Sequence, residues 1–211
     1  MKIIKILIVT VVVLAVLGFI GVGVINVDVI EDDLPTNVYE EDANLLSLVN
    51  TRLFDLFVTS VTNEYGVVEE IVNLVILDSI RENINSEYDP LGDCETNECN
   101  FIIYEDNYYV NYIWAELNED DQLVIHVSLG SEILIGVNTI FDFTFDIDID
   151  YLGFGIELTL DSYSINNMDL SMNILDNIFS NLDTDQIESE VSKGELDLEE
   201  YTYTLSFSLM P

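Results

Sequence analysis

From Ile133 to Tyr151 the apolar residues Ile133, Ile135, Val137, Phe141, Phe143, Phe145, Ile147, Ile149 and Tyr151 all fall on odd positions, with Thr139 alone interrupting the face. From Asp142 onward the even positions read Asp142, Thr144, Asp146, Asp148 and Asp150. A period of two sends these two sets to opposite sides of an extended chain, whereas the 3.6-residue turn of a helix would mix them. The stretch is therefore a strand with one dry and one wet face, and its dry face needs a cover. It is long for one strand, so a bend is expected near Gly136 to Thr139.

The flanking segments supply that cover. Leu45, Val49, Leu53, Leu56, Phe57 and Val61 recur at helical spacing behind the acids Glu40, Glu41 and Asp42, which predicts a first helix over 44–61. Val67, Ile71, Leu74, Leu77, Ile80 and Ile84 predict a second, deeply buried one over 67–84. Arg52 and Arg81 each have an acid three residues away, Asp55 and Asp78, and read as structural pairs. Strands are then expected over 101–104, 108–117 and 122–129, with turn clusters at 105–107 and 118–121. After a turn near Leu152 and Gly153 the ribbon returns through Phe154, Ile156, Leu158 and Leu160, an antiparallel hairpin. Residues 162–167 read as a loop, Leu170 to Leu182 as a short amphipathic helix begun by Asp169 or Ser171, and 185–192 as a further helical turn. Tyr201 to Leu209 alternate as a last strand.

Ahead of all this, Lys2 and Lys5 precede an apolar run from Ile6 to Ile25, and no charge follows until Asp28. Such a run is long enough to cross about 30 Å of hydrocarbon as a helix. It exceeds a signal-peptide core and lacks an A-x-A site, so it is read as a retained anchor. With both lysines before it, the positive-inside rule puts the N-terminus in the cytoplasm and the remainder outside, a single-pass cell-membrane protein. The expected organisation is an anchor over 1–27, an acidic stalk with Pro35 over 28–42, and one extracytoplasmic α+β domain over 43–211, helices packed on a curved antiparallel sheet.

Lys and Arg total 5 against 41 Asp and Glu; all 41 acids and only 3 of the bases lie from Asp28 on, a formal charge of −38 there. A chain so poor in clustered cations cannot gain from counterion release, which argues against nucleic acid or an anionic lipid surface as partner. The acidity itself is explained by a solubility or high-salt adaptation of the whole surface.

The carboxylate row Asp142, Asp146, Asp148 and Asp150 is the arrangement with chemical potential. Neighbours two apart on a strand sit roughly 6.5–7 Å from each other, within reach of one Ca2+, although a hard cation takes six or more oxygens and a solvated face explains the row without one. Tyr108, Tyr109, Tyr112 and Trp114 could stack on sugar rings or simply pack the sheet with their polar tips in water. Cys94 and Cys99, in an acidic loop with Pro90 and Gly92, are expected to be oxidised together outside the cytoplasm. Asp89, Asp93, Glu95 and Glu98 make a metal site the competing reading of that loop, without a histidine nearby or a zinc-knuckle or EF-hand spacing. His126, the only histidine, shares a strand face with Gln122, Val124 and Ser128 and is expected to be exposed and non-catalytic. Gly130-Ser131 has no G-x-S-x-G context, and no phosphate loop, Rossmann fingerprint or H-E-x-x-H occurs, so no catalytic or cofactor-binding residue is predicted.

The order of a long sheet region, then IELTLDSYSINNMDLSMNILDNIF from Ile156 to Phe179, behind one N-terminal membrane segment, resembles the YpmS-like family of single-pass bacterial envelope proteins over Tyr108 to Phe179. The resemblance implies an extracytoplasmic domain of curved antiparallel sheet and helices, with no enzymatic residues to carry over. This chain departs from it in its acidity, the Cys94 and Cys99 loop and the helix at Val67 to Ile84. The expected role is a non-enzymatic envelope module binding an apolar or amphiphilic ligand, a lipid or an envelope protein, with a wall-polymer or calcium-binding module as the alternative.

Overall fold

The computed structural model describes residues 45–59, 62–86, 88, 103–105, 109–130, 138–166, 168–179, 195–198 and 200–206. The putting-together of the fold begins with the ribbon, which forms strand β4 over Asn138–Asp150. Its odd side chains Phe141, Phe143, Phe145, Ile147 and Ile149 join the main core, and Thr139, on the same face, is buried with them. Asp146, Asp148 and Asp150 are exposed on the other side, so the two-faced reading holds. Residues 133–137, where the ribbon was expected to begin, lie outside the described residues.

Around β4 the chain lays down an antiparallel meander. Strands β2 (Tyr109–Leu117) and β3 (Leu123–Gly130) precede it and β5 (Gly155–Ile165) follows, each paired with the next. A short β1 (Tyr104–Glu105) pairs with the start of β2. Beyond β5 come β8 (Thr202–Ser206) and β7 (Glu195–Asp197), giving the order β1-β2-β3-β4-β5-β8-β7, while β6 (Met168–Asp169) folds back on the end of β5. The β2–β3 turn is built on Asn118, whose Oδ1 accepts from the N–H groups of Asp120 and Gln122 at 3.0 and 2.9 Å.

Residues 162–165, expected in a loop, continue β5 instead. Thr144 pairs with Ser162 but Phe145 pairs with Leu160, so Asp161 is the extra residue of a β-bulge. The bulge shifts the alternation by one, and Tyr163 and Ile165 return to the core side that Ile156, Leu158 and Leu160 occupy before it. Strand β7, with only three residues, was not anticipated.

Three helical elements complete the domain. Helix α1 (Leu45–Phe54) passes into a π-helical turn over Asp55–Thr59, and α2 spans Glu64–Asn83 with the Asn63 side chain accepting from Gly66 N at its start. Val49, Leu53 and Leu56 of the first and Val68, Ile71, Val72, Leu74, Leu77 and Ile80 of the second share one core with the dry faces of β2 to β5. Arg52 joins the two, bonding Glu70 and, at 3.4 Å, Asp55. Arg81 Nε donates to the Tyr88 carbonyl at 3.0 Å and ties down the chain beyond α2. Helix α3 (Asn173–Phe179) packs Leu175 on Tyr163 in a smaller cluster, and the Tyr163 hydroxyl donates to the Ser171 carbonyl at 3.1 Å. Among the described residues no helix is long and apolar enough to cross a membrane. The apolar run 6–25, the stalk 28–42, Cys94 and Cys99, Tyr108 and the turn 185–192 all lie outside them.

Helix α2 also closes a sheet edge. Past Val110 strand β2 has no outer strand among the described residues, so the backbone of Ala115 and Leu117 faces the helix. Asn73, itself buried, donates to Ala115 O at 2.7 Å and accepts from Ala115 N at 2.8 Å. One helical turn earlier, Glu69 accepts from Leu117 N at 3.0 Å. Spacing of four on the helix thus meets spacing of two on the strand, and the edge is satisfied without a further strand. Replacing the carboxamide in Asn73→Leu leaves a buried N–H and C=O bare, so denaturant unfolding should show a loss of about 2–4 kcal/mol. An unchanged unfolding midpoint would show that water reaches this edge.

Candidate functional site

The wet face of the sheet is less wet than its sequence implies. Direct cross-strand pairing aligns Trp114 on β2, His126 on β3, Asp142 on β4 and Ser164 on β5 in a single row. The Trp114 ring stacks on the His126 imidazole at 4.8 Å and 23°, and Tyr112 meets Trp114 edge-on. His126 Nδ1 lies 2.7 Å from Asp142 Oδ1, and the Ser164 hydroxyl donates to Asp142 Oδ2 at 3.1 Å. On the other side of the ring Nε2 is 2.9 Å from Glu116 Oε1, near enough for an ion pair but out of line for a hydrogen bond.

These contacts correct two expectations. The His126 side chain is only 14% exposed rather than solvated, and Trp114 is 3% exposed rather than holding a polar tip in water. Indeed Trp114 Nε1 and Ser128 Oγ are buried and have no hydrogen-bond partner among the described residues. Burial lowers the imidazole pKa, but the hydrogen bond and charge of Asp142, with Glu116 adding to them, outweigh it and leave the pKa above the usual 6.5. The ring sits between two carboxylates that favour its protonated form. Asp142 stands between the hydroxyl and the imidazole, so the array does not place a base against Ser164, which nucleophilic catalysis would require. What it does is neutralise charge and join four strands.

Of the predicted carboxylate row, Asp142 is engaged by His126 and Ser164, Asp146 accepts from Gln122 Nε2 at 2.8 Å, and Asp150 Oδ1 accepts from Leu152 N at 2.9 Å. Asp148 is exposed between them. The four share a face, but three of them serve different local partners, and among the described residues no three His, Cys, Asp or Glu side chains converge as metal ligands. Tyr112 belongs to the Trp114 stack and Tyr109 lies in β2.

A second candidate, which sequence reasoning passed over, is the β4–β5 turn. Asp150 pairs with Gly155, leaving Tyr151, Leu152, Gly153 and Phe154 as the connection. Leu152 is 94% exposed at its tip. The conformation is built to keep it there. The Asp150 carboxylate caps Leu152 N, a Cβ on Gly153 would come within 2.3 Å of Asp150 Oδ2, and Phe154 adopts a left-handed φ of 54° that disfavours a bulky side chain. Phe57, from the π-helical turn, braces the loop edge-on against both Tyr151, at 6.1 Å, and Phe154, at 5.6 Å. The Tyr151 hydroxyl donates to Glu64 at the start of α2 and is pushed up to about 12, by burial first and then by that carboxylate. Phe54 and Val58, close to Phe57 in sequence, are 51% and 49% exposed, and Tyr65 lies near Tyr151. An apolar residue at a turn was the available signal: Leu152 stands where turn chemistry favours polar side chains.

No family model, curated protein or solved structure matches this chain.

Because the imidazole pKa is raised by folding, its contribution to stability is complete below pH 6.5, the unfolded value, and is lost as pH rises through the higher folded value. The unfolding midpoint of the full-length protein should fall across that window. His126→Gln should lose roughly 1.5–3 kcal/mol in mild acid and show no such fall. A wild-type midpoint that stays level above pH 6.5 would mean that the ring is neutral.

Proposed function

We propose that this chain is a membrane-anchored, extracytoplasmic, non-enzymatic module of the cell envelope, which engages an apolar or amphiphilic partner through the tip of the β4–β5 hairpin. The observation that carries the reading is Leu152, an almost fully exposed leucine on a turn that capping and an aromatic brace hold in place. Burying such a side chain contributes about 1.5–3 kcal/mol. The anchor rests on the run Ile6 to Ile25 behind Lys2 and Lys5. A wall-polymer or calcium-binding role would draw on Asp146, Asp148 and Asp150, but Asp146 and Asp150 are already used within the fold.

A photoreactive aromatic amino acid at position 152 of the full-length chain, irradiated in native membranes, should yield adducts with lipid or protein. The same group at Glu157, exposed on the adjoining strand, should yield only background. Equal yields at the two positions in membrane-bound chain would remove the contact reading, and recovery of the chain apart from membranes would remove the anchor.

A further inference from the structure

We infer that the partner of the hairpin tip is the outer surface of the same bilayer that holds the chain's anchor, entered by Leu152 at a site of electroneutral headgroups. This rests on the anchor and contact reading above and names its occupant. Of three observations, shape and reach favour a lipid surface over a protein groove or a second copy, and charge selects its headgroups.

The first is shape. Leu152 projects from a four-residue turn, with its aromatic neighbours Tyr151, Phe57 and Phe154 packed on one another behind it. A single protruding leucine backed by aromatic side chains suits insertion into a fluid interface, where Tyr rings rest at headgroup level with their hydroxyls wet. Tyr151 and Tyr65 are both exposed beside the tip, where those rings would have to be.

The second is reach. The apolar run ends at Ile25 and α1 begins at Leu45. The residues between them span at most about 65 Å when fully extended, which keeps the domain beside one bilayer at all times. Tethering replaces a weak encounter in solution by one at high effective concentration, so a small apolar tip is enough.

The third is charge. Among the described residues the acids in contact with the turn are Glu64, on Tyr151, and Asp150, on Leu152 N. An anionic headgroup would be repelled there, whereas a zwitterionic or uncharged one would not.

The test uses the full-length chain carrying Leu152→Trp, reconstituted in phosphatidylcholine vesicles with brominated acyl chains, and the wild type for the background of buried Trp114. The added indole should emit to the blue and lose its fluorescence to bromine while resisting aqueous acrylamide, and phosphatidylglycerol in place of phosphatidylcholine should reduce the loss to bromine. Quenching by acrylamide and not by bromine would overturn the inference. So would shielding from both, which would place a protein or a second copy over the tip and leave the broader contact reading standing. Equal or stronger bromine quenching in phosphatidylglycerol would overturn the headgroup assignment. Failure of the chain to stay with the vesicles would instead overturn the anchor.

Discussion

Burying one side of β4 is the constraint on which the rest of this structure depends. Phe141, Phe143, Phe145, Ile147 and Ile149 cannot be left in water together, and a one-residue slip of the strand would turn their aspartate neighbours into the core instead. The register is thereby fixed, β3 and β5 pair on either side, and α1 and α2 close the core from one face. The sheet extends outward from this strand, and its length and position give the β4–β5 turn its place at the end of the longest hairpin of the described residues.

The opposite face has the converse problem of holding carboxylates close together in a chain of formal net charge −36. Repulsion is relieved locally. His126 lies between Asp142 and Glu116, Gln122 donates to Asp146, and the backbone of the turn donates to Asp150. Attraction between the ring and its carboxylates is screened less by solvent in this half-buried row than it would be at an exposed site. The same economy governs the sheet edge, where Asn73 and Glu69 on one helix do for β2 what a longer β1 would have done. Burial holds the Glu69 carboxyl above its usual pKa even though Leu117 N–H pulls it down, with Glu116 and Glu70 adding to the rise.

The hairpin tip is different in kind, because nothing in the core requires it. Leu152 could be polar without loss of packing, and Phe154 could be relieved of its left-handed backbone by glycine. The loop keeps an exposed leucine beside a left-handed aromatic, and Phe57 braces Tyr151 and Phe154 on either side of it.

Alternation and helical spacing, read along the chain, determined the α+β class, the two faces of β4, the hairpin after it, the two core helices and the turn at Asn118, since each follows from local periodicity or turn chemistry. The bulge at Asp161 was legible too, as a change of phase between Leu160 and Tyr163, but it reads equally as a loop until Phe143 and Phe145 supply partners in register. Only the tertiary structure decided that His126 is clamped, that Asn73 pairs with a strand distant in sequence, and that Asp142 differs from the other three acids of its row. Periodicity says which side of a strand a residue occupies; what stands opposite it is set by the neighbouring strands, and burial, charge pairing and pKa all depend on that second fact.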